Sequence, residues 1–190
     1  MAKQEIYRPA ELPLTPVSSS DFITGMYDQE IAKRIRSVIR AEAPVSERLL
    51  IKRVINSFGI LKAGTNVRSV MEHVIAGADL KRTDGKYCTA YWKKTQDPET
   101  YRIFRVAASE EEKRDVLDVC EEEIACAAAS VIRGHQEVIY GDLARETASL
   151  LGYTRMGNNV VDQMKAGIDL AVKRGFLRRK GSLYGEGKVK

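Results

Sequence analysis

The chain repeats itself 93 positions apart. Residues 30–77 lie on residues 123–170 without a gap, and the copies share Ile31/Ile124, Ser37/Ser130, Val38/Val131, Ile39/Ile132, Arg40/Arg133, Val45/Val138 and Leu50/Leu143. The agreement then tightens, with Gly59, Gly64, Asn66, Val67, Met71 and Ile75 falling on Gly152, Gly157, Asn159, Val160, Met164 and Ile168. A tandem duplication is the economical reading. A unit of about 65 residues is large enough to own a small core, whereas solenoid repeats of about 20–50 residues bury theirs only by stacking.

The duplication divides the 190 residues into two small domains and two connecting segments. Residues 1–25, with Pro9, Pro13, Pro16 and Ser18-Ser-Ser20, read as an extended arm or linker, because proline removes backbone donors and few packing side chains are present. Residues 26–94 form the first unit, 95–117 a connector and 118–190 the second unit. No apolar run approaches the roughly 18–20 residues a membrane span needs. The N-terminus also lacks the layout of a signal peptide, so a cytoplasmic location is expected. Cys88, Cys120 and Cys126 are an odd set without a Cys-x-x-Cys pair, which points to reduced, buried thiols rather than a disulfide framework or a zinc site.

Each copy carries the same succession of local signals. From Asp28, the residues Ile31, Ile35, Val38 and Ile39 mark one face of a helix that Pro44 stops. Val45 is a short extended step, Ser46 offers an N-cap oxygen to a second helix, and Gly59 ends that helix. A third helix runs from about Thr65 to Gly77, and Asp84-Gly85 between strand-like runs signals a hairpin. In the second copy a helix from Glu121 is followed by extended Val138-Ile-Tyr140. Asp142 is the expected cap of the next helix, a third helix reaches about Arg174, and a hairpin turns at Gly181. In the connector, Tyr101–Val106 is a candidate added strand and Ser109 a candidate helix cap. Three helices, a small strand after the first and a terminal hairpin predict a mainly α fold with small β wings: two tandem winged helix-turn-helix units.

The phrases Glu42-Ala-Pro-Val45, Leu49-Leu-Ile-Lys-Arg-Val54, Phe58-Gly59, Asp97-Pro98, Phe104-Arg105 and Leu151-Gly-Tyr-Thr-Arg-Met-Gly157 carry a resemblance. In order and spacing they resemble an uncharacterised bacterial domain family found at the C-terminus of superfamily I helicase-like proteins, near restriction-endonuclease-like modules. The resemblance spans roughly residues 5 to 180. It implies a DNA-processing setting with linked or partner helicase or nuclease domains, and it carries no catalytic residues.

In a winged helix the third helix offers its exposed N-terminal side chains to the major groove. Those positions are Lys62, Thr65, Asn66, Arg68, Ser69 and Glu72 in the first copy, and Arg155, Asn158, Asn159, Asp162 and Lys165 in the second. Asn66 and Asn159 have two readings, base contact and helix-start capping, and their identity in both copies favours capping. Lys62 and Arg155 serve either a phosphate or a neighbouring helix. The wings, Lys81-Arg82 with Lys86 and Arg178-Arg179-Lys180, place long cations where they reach a phosphate backbone or simply stay solvated. Of the alternating Tyr87, Tyr91 and Trp92, some are expected to pack beneath the wing.

Net charge is +5, but it is unevenly placed: residues 26–94 carry fourteen Lys and Arg against seven Asp and Glu, and residues 118–190 carry eleven against ten. A basic unit beside a near-neutral sibling points to a polyanion on the first. No phosphate-cradling loop, nucleophile elbow or nuclease-like acidic cluster is present, His73 and His135 are isolated, and Cys120 and Cys126 do not share a helix face. The expectation is a non-enzymatic, cofactor-free module that binds duplex or forked DNA mainly through phosphate contacts of the first copy. The rival is a protein-interaction or dimerisation module using the same surfaces.

Overall fold

The computed structural model describes residues 2–188. Helices dominate, with three small sheets among the described residues. The chain divides into two compact units. The first comprises Pro9–Thr83 and Ala90–Gln96; the second takes the segment up to Arg8, Asp84–Thr89 and the chain from Asp97 onward.

In the first unit a short helix, α1 (Ser19–Phe22), precedes α2 (Asp28–Glu42), β2 (Val45–Ser46), α3 (Glu47–Ser57), α4 (Thr65–Gly77) and the hairpin strands β3 (Lys81–Asp84) and β4 (Thr89–Trp92). Helix α2 ends before Pro44, which cannot continue it. Ser46 caps α3, its hydroxyl accepting from Leu49 N at 2.9 Å. The three strands order as β2-β4-β3, with Val45 opposite Tyr91. Ile31, Ile35 and Val38 of α2, Leu50 and Val54 of α3 and Met71 of α4 are fully buried, each recurring at helical spacing on its inward face.

Residues 9–25 hold more than an arm. Ser18 caps α1 by accepting from Asp21 N at 3.0 Å. Phe22 is completely buried and meets Phe58 edge-on, with ring centroids 5.2 Å apart. Arg34, 2% exposed, donates to Ser57 Oγ at 2.7 Å and to Thr15 Oγ1, and its guanidinium stacks 3.8 Å above Phe58. The signal was present as Ser18-x-x-Asp21, a capping-box pattern.

The second unit repeats the order as α5 (Glu121–Ile132), β6 (Val138–Ile139), α6 (Tyr140–Leu150), α7 (Asn158–Lys173), β7 (Leu177–Lys180) and β8 (Leu183–Glu186). Its three-stranded sheet has the matching order β6-β8-β7, with Val138 opposite Tyr184. The turns between the second and third helices share the two hydrogen bonds that end the second helix. Gly59 N donates to Asn56 O and Ile60 N to Ile55 O; Gly152 N donates to Ser149 O and Tyr153 N to Ala148 O. Gly59 (φ +75°) and Gly152 (φ +89°) take the left-handed conformation that ends a helix and strains any side-chain-bearing residue.

Two expected caps are corrected. Asp142 lies inside the first turn of α6, whose N-cap is Ile139, and pairs with Arg145 at 2.9 Å instead. Ser109 starts no helix: a 3-10 turn, Val116–Asp118, comes later and is capped by Asp115. In both cases an acidic or hydroxyl residue near the start of an apolar run satisfied the pattern without supplying the N–H geometry.

The second unit also contains a parallel two-stranded sheet of β1 (Lys3–Tyr7) and β5 (Ile103–Ala107), drawn from the expected arm and connector. Behind it lies buried charge. Glu123, fully buried, accepts from Arg105 Nε at 3.0 Å and from Arg114 Nη1 at 2.6 Å, while both guanidiniums approach the Tyr7 ring. All three cysteines are free and buried, and burial pushes the Cys88 and Cys126 thiols up to about 12.

Candidate nucleic-acid interface

The positions predicted to meet DNA gather at the N-terminal ends of α4 and α7 and on the two hairpins. Helix α4 is capped by Gly64 and α7 by Gly157, neither of which supplies a side-chain bond to the helix. Asn66 and Asn159 are therefore not caps: each is the second residue of its helix and exposed. The capping reading fails because the glycine two residues earlier already holds the cap position, and its carbonyl takes the first intrahelical bond, from Arg68 N at 2.9 Å in α4 and Val161 N at 3.0 Å in α7. The leading N–H groups of both helices, with the positive end of the helix dipole, face outward without an internal acceptor from the cap side chain.

Lys62 and Arg155 stand two residues before those glycines, and both are exposed. In front of α4 an open hollow of about 700 Å³ is lined by Ser19, Ser20, Ile23, Lys62, Thr65 and Asn66. Ser19, Ser20 and Ile23 went unpredicted because their segment reads as linker. Arg68 points along the helix to Glu72 at 3.5 Å, with both side chains about half exposed. Such a surface pair is worth only about 0.2–0.5 kcal/mol, so a phosphate displaces it at little cost. Ser69 is exposed beside it. On α7, Asn158 and Asp162 are exposed, and Lys165 pairs with Asp169 at 3.0 Å.

The hairpins are less free than solvated loops. Lys81 Nζ donates to the carbonyls of Gln96 at 2.5 Å and Lys94 at 3.4 Å. Arg82 shares a hollow with Glu47, Glu72, Asp79 and Tyr91. Lys86 keeps its ammonium exposed, 4.9 Å from the centre of the Tyr87 ring. Its backbone N–H, with that of Tyr87, donates to Glu121 Oε1, so the hairpin tip is tethered. Burial raises the Glu121 pKa, and those N–H donors work against the rise. Tyr91 and Trp92 are buried and Tyr87 is partly exposed. On the second hairpin Arg178 pairs with Glu137 at 3.0 Å, Arg179 Nε donates to Gly181 O at 3.1 Å, and Lys180 is exposed.

Among the described residues no three His, Cys, Asp or Glu side chains are grouped to hold a metal, and no helix is long and apolar enough to cross a membrane. A family model described as "Protein of unknown function (DUF3320)" matches residues 20–69, from α1 into α4. That match supports an uncharacterised domain family. No curated protein and no solved structure matches the chain.

Proposed function

We propose that this chain is a non-catalytic nucleic-acid-binding module of two tandem winged-helix units, holding duplex or forked DNA chiefly through phosphate contacts of the first copy. One observation carries the reading. At the same place in both copies, a glycine-capped third helix is preceded by an exposed cation (Lys62, Arg155) and opened by an exposed Asn (Asn66, Asn159). Backbone N–H groups and a cation at a helix N-terminus form an anion site, and Asn and Arg are the side chains that bridge adenine and guanine edges in the major groove. The excess of positive charge in residues 26–94 favours stronger phosphate attraction on that copy.

Its setting would be a larger DNA-processing polypeptide beside a helicase or nuclease, as the phrases from Glu42-Ala-Pro-Val45 onward imply. The test is a titration of the chain against labelled duplex DNA. The double variant Lys62→Ala with Asn66→Ala should bind at least about fivefold more weakly, since one base contact is worth about 1–3 kcal/mol, while its thermal melting stays unchanged. Unaltered affinity would remove α4 from the interface.

A second reading, protein interaction, is favoured by the exposed apolar side chains of the first unit. Leu61 is 82% exposed, Met26 78% and Leu14 68%, and exposed hydrophobes mark protein partners where they join in one contiguous patch. If this reading holds, Leu61→Ser should abolish partner capture or self-association and leave salt-sensitive DNA binding absent in variant and parent alike.

A further inference from the structure

Each copy has a hollow at the same place, between the start of its second helix, the outer face of its third helix and its hairpin. In the first copy it measures about 470 Å³ and is lined by Glu47, Glu72, Asp79, Arg82 and Tyr91. In the second it measures about 510 Å³ and is lined by Ile139, Tyr140, Lys165, Asp169, Arg179 and Tyr184. The 93-residue spacing sets Tyr140 where Glu47 stands, Lys165 where Glu72 stands and Tyr184 on Tyr91. Tyr91 and Tyr184 hold matching places in their sheets, opposite Val45 and Val138.

The two hollows have diverged in chemistry. In the first, three carboxylates face one arginine, and the Tyr91 hydroxyl is occupied, donating to Glu47 Oε2 at 2.8 Å. In the second, Lys165 and Arg179 outnumber Asp169, and two aromatic rings meet where a carboxylate stood. The Tyr140 and Tyr184 ring centroids lie 6.1 Å apart with planes tilted by 51°, and the Arg179 guanidinium lies 5.6 Å from the Tyr184 centroid. Ile139, 51% exposed, completes an apolar edge. The Tyr140 hydroxyl is shielded from solvent and has no hydrogen-bond partner, a state that native structures rarely leave uncompensated.

We propose that the hollow of the second copy seats a base of single-stranded nucleic acid, a role the first copy's hollow does not share. The proposal rests on the nucleic-acid reading above and adds strandedness to it. Every base has a π-face, and aromatic side chains flanked by cations hold single strands with little regard to sequence. A hollow of this size is within the roughly 300–1,000 Å³ of small-ligand sites. Lys165 and Arg179 stand beside the two rings as cations for the strand's phosphates. Burial first, then the nearby Asp169, raises the Tyr140 pKa, so the hydroxyl keeps its proton. The carboxylates of the first hollow repel the same ligand.

The experiment is fluorescence anisotropy on the full chain with three probes: oligothymidylate, an abasic deoxyribose-phosphate chain of equal length and charge, and a blunt duplex. Single strands of about 12 nucleotides suit the usual site sizes. Oligothymidylate should bind at least about tenfold tighter than the abasic chain, and Tyr140→Ala should remove most of that margin. Ile139→Asp, at an exposed position, should do the same and decides the matter if Tyr140→Ala unfolds. Tyr140→Phe should retain most of the stacking. None of these variants should weaken duplex binding, and Lys62→Ala with Asn66→Ala should weaken only the duplex. Equal affinity for the base-bearing and abasic chains, or a margin that survives Ile139→Asp, overturns the base seat while leaving duplex binding in place. Loss of binding to all three probes in the parent chain overturns both readings.

Discussion

Glu123 is the residue on which the buried charge of the second unit converges. It accepts from the backbone N–H and the guanidinium of Arg105 and from two nitrogens of Arg114. Burial alone would raise its pKa, but the two guanidiniums, through charge and hydrogen bonds, outweigh burial and hold it down at about 2. A carboxylate depressed below its ordinary 4.5 stabilises the fold fully above that pH, and the contribution is lost as pH falls toward about 2. Glu123→Gln strands two buried cations, and removing one partner of a buried pair costs about 3–5 kcal/mol. Denaturant unfolding at neutral pH should show that loss, and the gap between parent and variant should narrow below pH 4.5. A gap that stays constant with pH would show that Glu123 is not the titrating group. The network was not legible in the sequence. Arg105, Arg114 and Glu123 are well separated along the chain, and no spacing rule brings together a strand, a loop and a helix.

At the scale of elements the sequence was far more transparent, because helical period, caps and turn glycines are local properties. The stretch from α2 through α4 lies close to where Ile31, Ser46, Gly59 and Thr65 predicted it, and β2 and β6 fall at the expected extended steps. The copies part company later: α7 has 16 residues against 13 in α4. Helix α7 also carries Gly167 where α4 has Val74. A Cβ at Gly167 would collide with Cγ2 and Cβ of Ile124, so α5, with Ala125, Ala127 and Ala128, packs closely against α7. Gly167→Ala should therefore destabilise by about 1–3 kcal/mol through overpacking, despite alanine's better helix propensity. Gly77, where an added Cβ would meet nothing within 4 Å, is the contrasting site. Gly77→Ala should raise stability by up to about 1 kcal/mol. Thermal melting of the pair reads both, and a stabilising Gly167→Ala would show that the α5–α7 contact is looser than described. β5 falls on the strand expected at Tyr101–Val106, whereas residues 1–25 escaped a local reading because the burial of Tyr7 and Phe22 depends on partners far along the chain.

At the scale of the molecule, duplication has kept a backbone pattern and let the surfaces drift. The first copy holds the charge excess. In the hollow between third helix and hairpin, the second has Tyr140 and Lys165 at the places of Glu47 and Glu72 in the first. Several of the cations predicted for DNA are engaged within the chain: Arg68 with Glu72, Arg178 with Glu137 and Lys81 with carbonyls. The Arg68 and Arg178 pairs lie at the surface, where such pairs are worth little, so a competing phosphate would displace them. The most direct measurement is duplex affinity at a series of salt concentrations, for the parent chain and for Lys81, Arg82 and Lys86 replaced together by alanine. With about four to six phosphates contacted, log affinity should fall against log salt with a slope near about −4 to −5, and the triple variant should bind all sequences more weakly with a flatter slope. The corresponding replacement of Arg178, Arg179 and Lys180 should do less. Binding that is absent or insensitive to salt, or that depends more on the second hairpin than on the first, would contradict DNA binding centred on the first copy.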